Sequence, residues 1–356
     1  MICRFRSALF HSVSAGVPLL NDHDPPEHGG RLRQAAARFG IPLARWLDLS
    51  TGINPRAWPV PALPASAWGR LPEAEDGLES EAARYYGAPD PLPLAGSQAA
   101  IQALPTMRAP CRVGVPRVGY REHAYAWRRA GHRVIELADS DPGHWLDEGP
   151  ERLDCLVVIN PNNPTGHCWP VATLLDWHAR LAARGGWLIV DEAFMDTTPA
   201  ASLTPYAGRP GLILLRSLGK FFGLAGARVG FLFAEPALQA TLNAWLGPWT
   251  LTGPSRLIAR QAFADTAWQR CTRASLALDA TCLAALLRRH GLAPTGGTAL
   301  FQWVLIADAA RIDAALAQQG ILVRRFERPA SLRFGLPGEE RDWQRLSAAL
   351  GSAVHS

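Results

Sequence analysis

An α/β fold, with a large, mostly parallel sheet covered by helices and a smaller α+β unit behind it, is what the sequence predicts. The middle of the chain alternates short, wholly apolar segments at 155–159, 187–190 and 212–215 with helical stretches of ten or more residues. Each of those apolar segments runs directly into polar residues able to do chemistry. The composition agrees: 356 residues, 48% hydrophobic and 19% charged, describe a globular chain able to bury a core.

In order along the chain, residues 1–20 carry Arg4 and Arg6 ahead of an apolar stretch broken by His11, Ser12 and Ser14, which reads as a loose arm rather than a secretory signal. Residues 30–40 predict a short amphipathic helix closed by glycine, and 54–72 is too rich in proline for regular structure. Helices are expected at 79–86, 97–107, 122–130 and 171–184, and extended segments at 112–115 and 132–137 beside the three apolar ones. A long helical pattern covers 256–290, strands follow at 300–306 and 321–323, and a helix over 341–353 closes the chain.

Several function classes are excluded by the same reading. No apolar run reaches the roughly 18 residues that span a bilayer. The six cysteines, Cys3, Cys111, Cys155, Cys168, Cys271 and Cys282, form no C-x-x-C pair, and the ten histidines show no metal-ligand spacing. No metal site is expected, and the cysteines read as reduced thiols of a cytoplasmic protein. The net charge of +5 comes from arginines dispersed through helices, with no patch for nucleic acid.

The chemistry sits at the three strand ends. The first strand runs into Asn160-Pro161-Asn162-Asn163-Pro164-Thr165-Gly166, the second into Asp191-Glu192-Ala193-Phe194, and the third into Arg216-Ser217-Leu218-Gly219-Lys220. Singly, a turn explains the first and a helix cap the second. Lys220 resists such a reading, being a lone lysine among many arginines, flanked by Ser217, Gly219, Gly223, Gly226 and Arg228. Ligands of open α/β sheets bind outside the carboxyl ends of the strands, so the three segments converge on one crevice.

These motifs, with the Ser-Leu-Gly-Lys-Phe-Phe-Gly-Leu-Ala-Gly-Ala-Arg-Val-Gly run from Ser217, resemble the fold-type I, aspartate-aminotransferase-like pyridoxal-phosphate enzymes. The resemblance implies that Lys220 carries pyridoxal 5'-phosphate as a Schiff base. It further implies that Asp191 pairs with the pyridine nitrogen, Asn163 donates to the ring hydroxyl oxygen, and Ser97, Gln98, Ser217 and Arg228 hold the cofactor phosphate. Arg333 matches the arginine that grips a substrate α-carboxylate. A pyridinium is an electron sink only while its nitrogen is protonated, which is why a carboxylate belongs there.

Two positions depart from the family pattern, Phe194 and Leu71, where many relatives have tyrosines. Either Val118 or Tyr120 is left to stack on the ring. The resemblance implies an arm over 1–50 that contributes to the small domain, a cofactor-binding domain over 51–250 and a small domain over 251–356. It also implies a homodimer, for which 54–72 is one candidate contact.

Glu27-His28-Gly29-Gly30, Phe39-Gly40-Ile41-Pro42 and Leu47-Asp48-Leu49-Ser50-Thr51-Gly52-Ile53-Asn54-Pro55, together with Phe194, resemble L-threonine-O-3-phosphate decarboxylases of cobalamin biosynthesis. That resemblance implies release of CO2 and formation of (R)-1-amino-2-propanol O-2-phosphate, with Arg324 the choice for the substrate phosphate and His28 as its partner. Histidinol-phosphate aminotransferases share the core motifs and are the rival reading. A regulator built on this fold would need a DNA-binding extension, and the first residues show no helix-turn-helix pattern.

Overall fold

The computed structural model describes residues 25–138, 142–147, 149 and 152–355. The arm reading of residues 1–20 therefore lies outside the described residues. From the amino end, α1 (Leu32–Phe39) stops at Gly40, whose φ of 65° is left-handed, and β1 (Leu47–Asp48) follows. The stretch 54–72, expected to be irregular throughout, holds one four-residue helix, α2 (Ser66–Gly69). It forms in the longest interval between prolines, the one place where helical backbone bonds can close.

Next come α3 (Leu78–Tyr86), β2 (Leu92–Leu94), α4 (Ser97–Ala103), β3 (Arg112–Pro116), α5 (Glu122–Arg129) and β4 (Arg133–Leu137). They are followed by β5 (Cys155–Ile159), α6 (Val171–Ala182), β6 (Trp187–Asp191), β7 (Leu212–Ser217) and β8 (Gly230–Phe233). The seven strands lie in the order β2-β8-β7-β6-β5-β3-β4. β4, β3, β5, β6 and β7 run parallel, while β8 is antiparallel to both β7 and β2. All five residues of β5 are buried, because helices cover both faces of a parallel sheet and no position can be polar.

Beyond the sheet, α7 (Pro236–Leu246) leads to α8 (Gly253–Ala264) and α9 (Thr266–Arg289). The single helical pattern expected over 256–290 is thus two helices, broken at Asp265. The Asp265 carboxylate accepts from the Trp268 backbone N–H at 3.0 Å, capping the second helix, and from Trp58 Nε1 at 3.2 Å. The last part contains β9 (Gly296–Thr298), β10 (Phe301–Leu305), α10 (Ala309–Gln318), β11 (Ile321–Leu322), β12 (Arg324–Glu327), β13 (Ala330–Gly335) and α11 (Glu340–His355). An antiparallel sheet runs β12-β13-β10-β9, and β11 pairs in parallel with β1, which ties the N-terminal segment to the C-terminal one.

The Asn160–Gly166 loop that follows β5 meets strand β9 of the smaller sheet backbone to backbone. A Cβ on Gly166 would fall on the Gly297 backbone, and one on Gly296 would fall on the Thr165 carbonyl oxygen. Glycine is required at both places because nothing larger fits. Among the described residues no helix is long and apolar enough to cross a membrane, and no cluster of His, Cys, Asp or Glu is arranged to hold a metal.

Candidate active site

The carboxyl ends of the parallel strands β5, β6 and β7 deliver Asn163, Asp191 and Ser217 to one crevice, with Lys220 three residues further on. The Lys220 backbone oxygen accepts from the Asn54 N–H at 3.0 Å, and Asn54 Nδ2 donates to the Phe221 carbonyl at 2.9 Å. The Leu47–Pro55 segment therefore fixes the lysine's main chain. Lys220 Nζ lies 5.5 Å from the centre of the Phe194 ring, which packs edge-on against Phe301 at 5.1 Å. Burial, with Arg333 and Arg228 nearby, holds the amine down at about 8, opposed by Asp191. At pH 7.5 an amine of that acidity is about a quarter neutral, against about 0.1% for an ordinary lysine, and only the neutral amine attacks a carbonyl.

Asp191 is buried, and each of its oxygens has one protein partner. Oδ1 accepts from the Ala193 N–H at 3.0 Å and Oδ2 from His123 Nε2 at 3.0 Å. His123, on α5, is a site residue that the sequence reading passed over. It fixes the carboxylate's orientation while leaving acceptor capacity for a ligand N–H.

At the end of β2, Gly96 has a φ of 75° and starts the turn into α4. A Cβ there would lie 2.6 Å from a guanidinium nitrogen of Arg228, and a Cβ on Gly230 would fall on the Ser97 backbone nitrogen. Two absent side chains thus let Arg228 and the first N–H groups of α4 draw together. Arg228 makes one contact, to the Ala225 carbonyl at 3.1 Å, and has no carboxylate partner among the described residues. Ser217 Oγ accepts from the Gly219 N–H at 3.3 Å. This grouping of Ser97, Ser217 and an unpaired Arg228 fits a phosphate dianion.

The Gln98 side chain turns away from that turn, donating to Glu122 Oε2 at 2.7 Å and accepting from Tyr120 Oη at 3.1 Å. Glu122 also accepts from Gln102 at 2.9 Å and binds His28 Nε2 at 2.6 Å. The His28 contact, foremost, holds this carboxyl below its usual range. His28 also lies 5.5 Å, ring to ring, from Tyr120. Tyr120, half-buried, is tied to the Gln98 side chain of α4, and the Val118 carbonyl accepts from Asn162 Nδ2 at 2.8 Å.

On the C-terminal side, Arg333 donates to Asn163 Oδ1 and to the Ser50 carbonyl. Because the guanidinium can only donate, Asn163 Oδ1 faces it and Nδ2 remains for another acceptor. Ser50 in turn accepts the Gly30 N–H on its Oγ at 2.8 Å, so the His28-Gly29-Gly30 segment closes over the residue that holds Arg333. Arg324 donates to the Glu27 carbonyl, and its guanidinium stands 5.4 Å from the Phe326 ring.

Arg324 and Arg333 are direct cross-strand partners in the β12–β13 ladder. Burial disfavours the charged form of each, and Arg324 adds to that effect on Arg333. Like charges opposite one another destabilise a sheet, and anions placed between them reverse the sign. The Arg324–Arg333 pair therefore suits, by charge, a ligand with two anionic groups, separate from the grouping at Arg228.

The sequence profile described as aminotransferase class I and II matches residues 70–353. The chain is 57% identical to the threonine-phosphate decarboxylase of Pseudomonas aeruginosa over 91% of this chain and 97% of that one. It is 41% identical to the threonine-phosphate decarboxylase of a Sinorhizobium species, over 92% and 98%. The crystal structure of histidinol-phosphate aminotransferase from Sinorhizobium meliloti in complex with pyridoxal-5'-phosphate superposes with a TM-score of 0.81 at 20% identity, covering 92% of this chain and 97% of that one.

Proposed function

Because the chain belongs to the class I and II aminotransferase family, we propose that it is a pyridoxal-phosphate enzyme that decarboxylates L-threonine O-3-phosphate. The products are CO2 and (R)-1-amino-2-propanol O-2-phosphate. The observation that carries the substrate class is the Arg324–Arg333 pair, two half-compensated cations opposite one another across a ladder, matched by one molecule carrying a carboxylate and a phosphate. The names of the 57% and 41% identical relatives support decarboxylation over amino transfer.

In this reading Lys220 holds the cofactor, and Ser97, Ser217 and Arg228 bind its phosphate, with Gln98 contributing through the turn into α4. Pyridoxal phosphate, when bound, supplies a sink for the electron pair of a bond broken at the substrate Cα. Asp191, oriented by His123, would hold a proton on the pyridine nitrogen. Asn163 Nδ2, left free by the Arg333 contact to Oδ1, would donate to the ring hydroxyl oxygen, and Tyr120 would lie against the ring. Phe194 and Phe301 keep water from the lysine amine. Arg333 binds the carboxylate end, and Arg324, with His28 from the arm, the phosphate end. Anchoring both ends fixes rotation about the Cα bonds, and that rotation decides which bond breaks. Lys220 then delivers a proton to Cα.

A second copy of the chain completes the proposal. Trp68, Leu71, Trp245 and Trp249 are more than half exposed, an unusual amount of aromatic surface for a chain that works alone, and Trp68 and Leu71 lie in the 54–72 segment. The domain limits at 50 and 250 and residence in the cytoplasm belong to the same reading, the latter in keeping with five free cysteines among the described residues.

L-threonine O-3-phosphate incubated with the protein tests the reaction. One CO2 per aminopropanol phosphate, without 2-oxoglutarate, is the expected result. Histidinol phosphate turning over with 2-oxoglutarate, and no CO2 from threonine phosphate, would replace it with the aminotransferase reading. In the same assay Arg324→Ala is expected to weaken threonine-phosphate binding by roughly 2–5 kcal/mol, the cost of truncating a charge-assisted pair, and to leave free L-threonine nearly unaffected. Equal losses for both substrates would move Arg324 away from the phosphate.

A further inference from the structure

At the amino ends of the parallel strands, opposite the crevice, Cys111 stands just ahead of β3 and Cys155 opens β5. Their Sγ atoms are 3.9 Å apart, and Cys111 Sγ is 3.3 Å from Nδ1 of the buried His132. His132 Nε2 lies 2.8 Å from the Pro105 carbonyl oxygen, which can only accept, so the ring proton is on Nε2 and Nδ1 carries the lone pair. Nδ1 already takes the Cys111 backbone N–H at 3.2 Å, which holds it beside the thiol. The Trp127 ring, edge-on at 4.5 Å, closes another side of the imidazole. Cys155 is fully buried, whereas Cys111 is half-buried and open to small reagents.

We propose that Cys111 is a thiolation site, a nucleophile for low-molecular-weight disulfides of the glutathione disulfide class, with His132 as proton acceptor and Cys155 as hydrogen-bond donor. The thiol passes its proton to His132 Nδ1, and the Cys155 S–H points at the resulting thiolate. The Cys111 sulfur then bonds to one sulfur of the disulfide RSSR. The RS–SR bond breaks, and its electron pair leaves on the second sulfur, which collects the proton from His132. The sum is Cys111–SH plus RSSR giving Cys111–SSR plus RSH, with no further oxidant.

The charged and titratable groups around the thiol act in the same direction. The Cys155 S–H first, then His132 and Arg108, hold the Cys111 thiol down at about 6, against the opposing effect of burial. Cys155 is pushed well above its usual value by the Cys111 contact and by burial, so it remains the donor. The chain carries its own comparison thiols in Cys168, Cys271 and Cys282, all exposed, with Cys168 raised by burial of its thiol.

The test is reaction of the purified full-length protein with limiting glutathione disulfide at pH 6.5, each cysteine followed by peptide mass spectrometry. The gain in thiolate fraction at that pH outweighs the loss of intrinsic nucleophilicity, so Cys111 should react several-fold faster than Cys271 and Cys282. Cys155→Ser, which keeps a donor, should retain that advantage; Cys155→Ala and His132→Gln should each lose most of it. Cys111 reacting no faster than Cys271 overturns the proposal. So does an advantage that survives Cys155→Ala, a test that holds even where the His132 variant does not fold.

Discussion

Lys220→Ala is expected to abolish turnover of threonine phosphate and to leave no cofactor covalently attached to the protein. The loss should be complete rather than partial, because Lys220 is the chain's only lysine and the variant has no side-chain amine with which to replace it. Cofactor content after borohydride reduction and then denaturation, which leaves a stable secondary amine on the unaltered protein, reads the attachment, and CO2 release from unreduced protein reads the turnover. Cofactor still attached after denaturation would mean that another amine, which could only be the α-amino group, holds it. The variant should fold, since Asn54 holds the Lys220 backbone oxygen rather than its side chain.

The second large effect is at Asp191. Asp191→Ala is expected to bind the cofactor weakly and to lose activity by roughly 10²–10³-fold or more, the scale on which removing one preorganised electrostatic group is felt. Without the carboxylate nothing buried at that place favours a proton on the pyridine nitrogen, and the variant also strands the buried His123 Nε2. Single-turnover CO2 release at saturating cofactor separates weak binding from slow chemistry. Near-normal turnover under those conditions would remove Asp191 from its role.

Both residues were legible from sequence for a physical reason. Parallel strands buried on both faces must be apolar throughout, so β5, β6 and β7 stand out as uninterrupted runs, and whatever ends them stands out in turn. β12 was not legible, because Arg324, Arg325 and Glu327 give it no apolar alternation; its strand character comes from pairing with β13, which only the folded chain shows. β8 was hidden differently, being four residues directly behind the Arg228 turn, so it read as part of the motif. Residues escape local patterns where the partner is remote. His123 meets Asp191 across 68 positions and Glu122 meets His28 across 94, and no local pattern encodes either pairing. The His28-Gly29-Gly30 and Leu47–Pro55 segments were noticed only through resemblance. Their common purpose is structural: Ser50 takes the Gly30 N–H on its hydroxyl and the Arg333 guanidinium on its carbonyl.

The meeting of Thr165 and Gly166 with Gly296 and Gly297 has a consequence for how such a site can diversify. There the loop after β5 and strand β9 touch through main chain, so no side chain can be added at either glycine without moving one of them. Ligand preference can then change where side chains rather than main chain make the contacts, as at His28 and along the β12–β13 ladder. A change of ligand would then come by exchange of such side chains, with the Gly166–Gly297 contact left as it is.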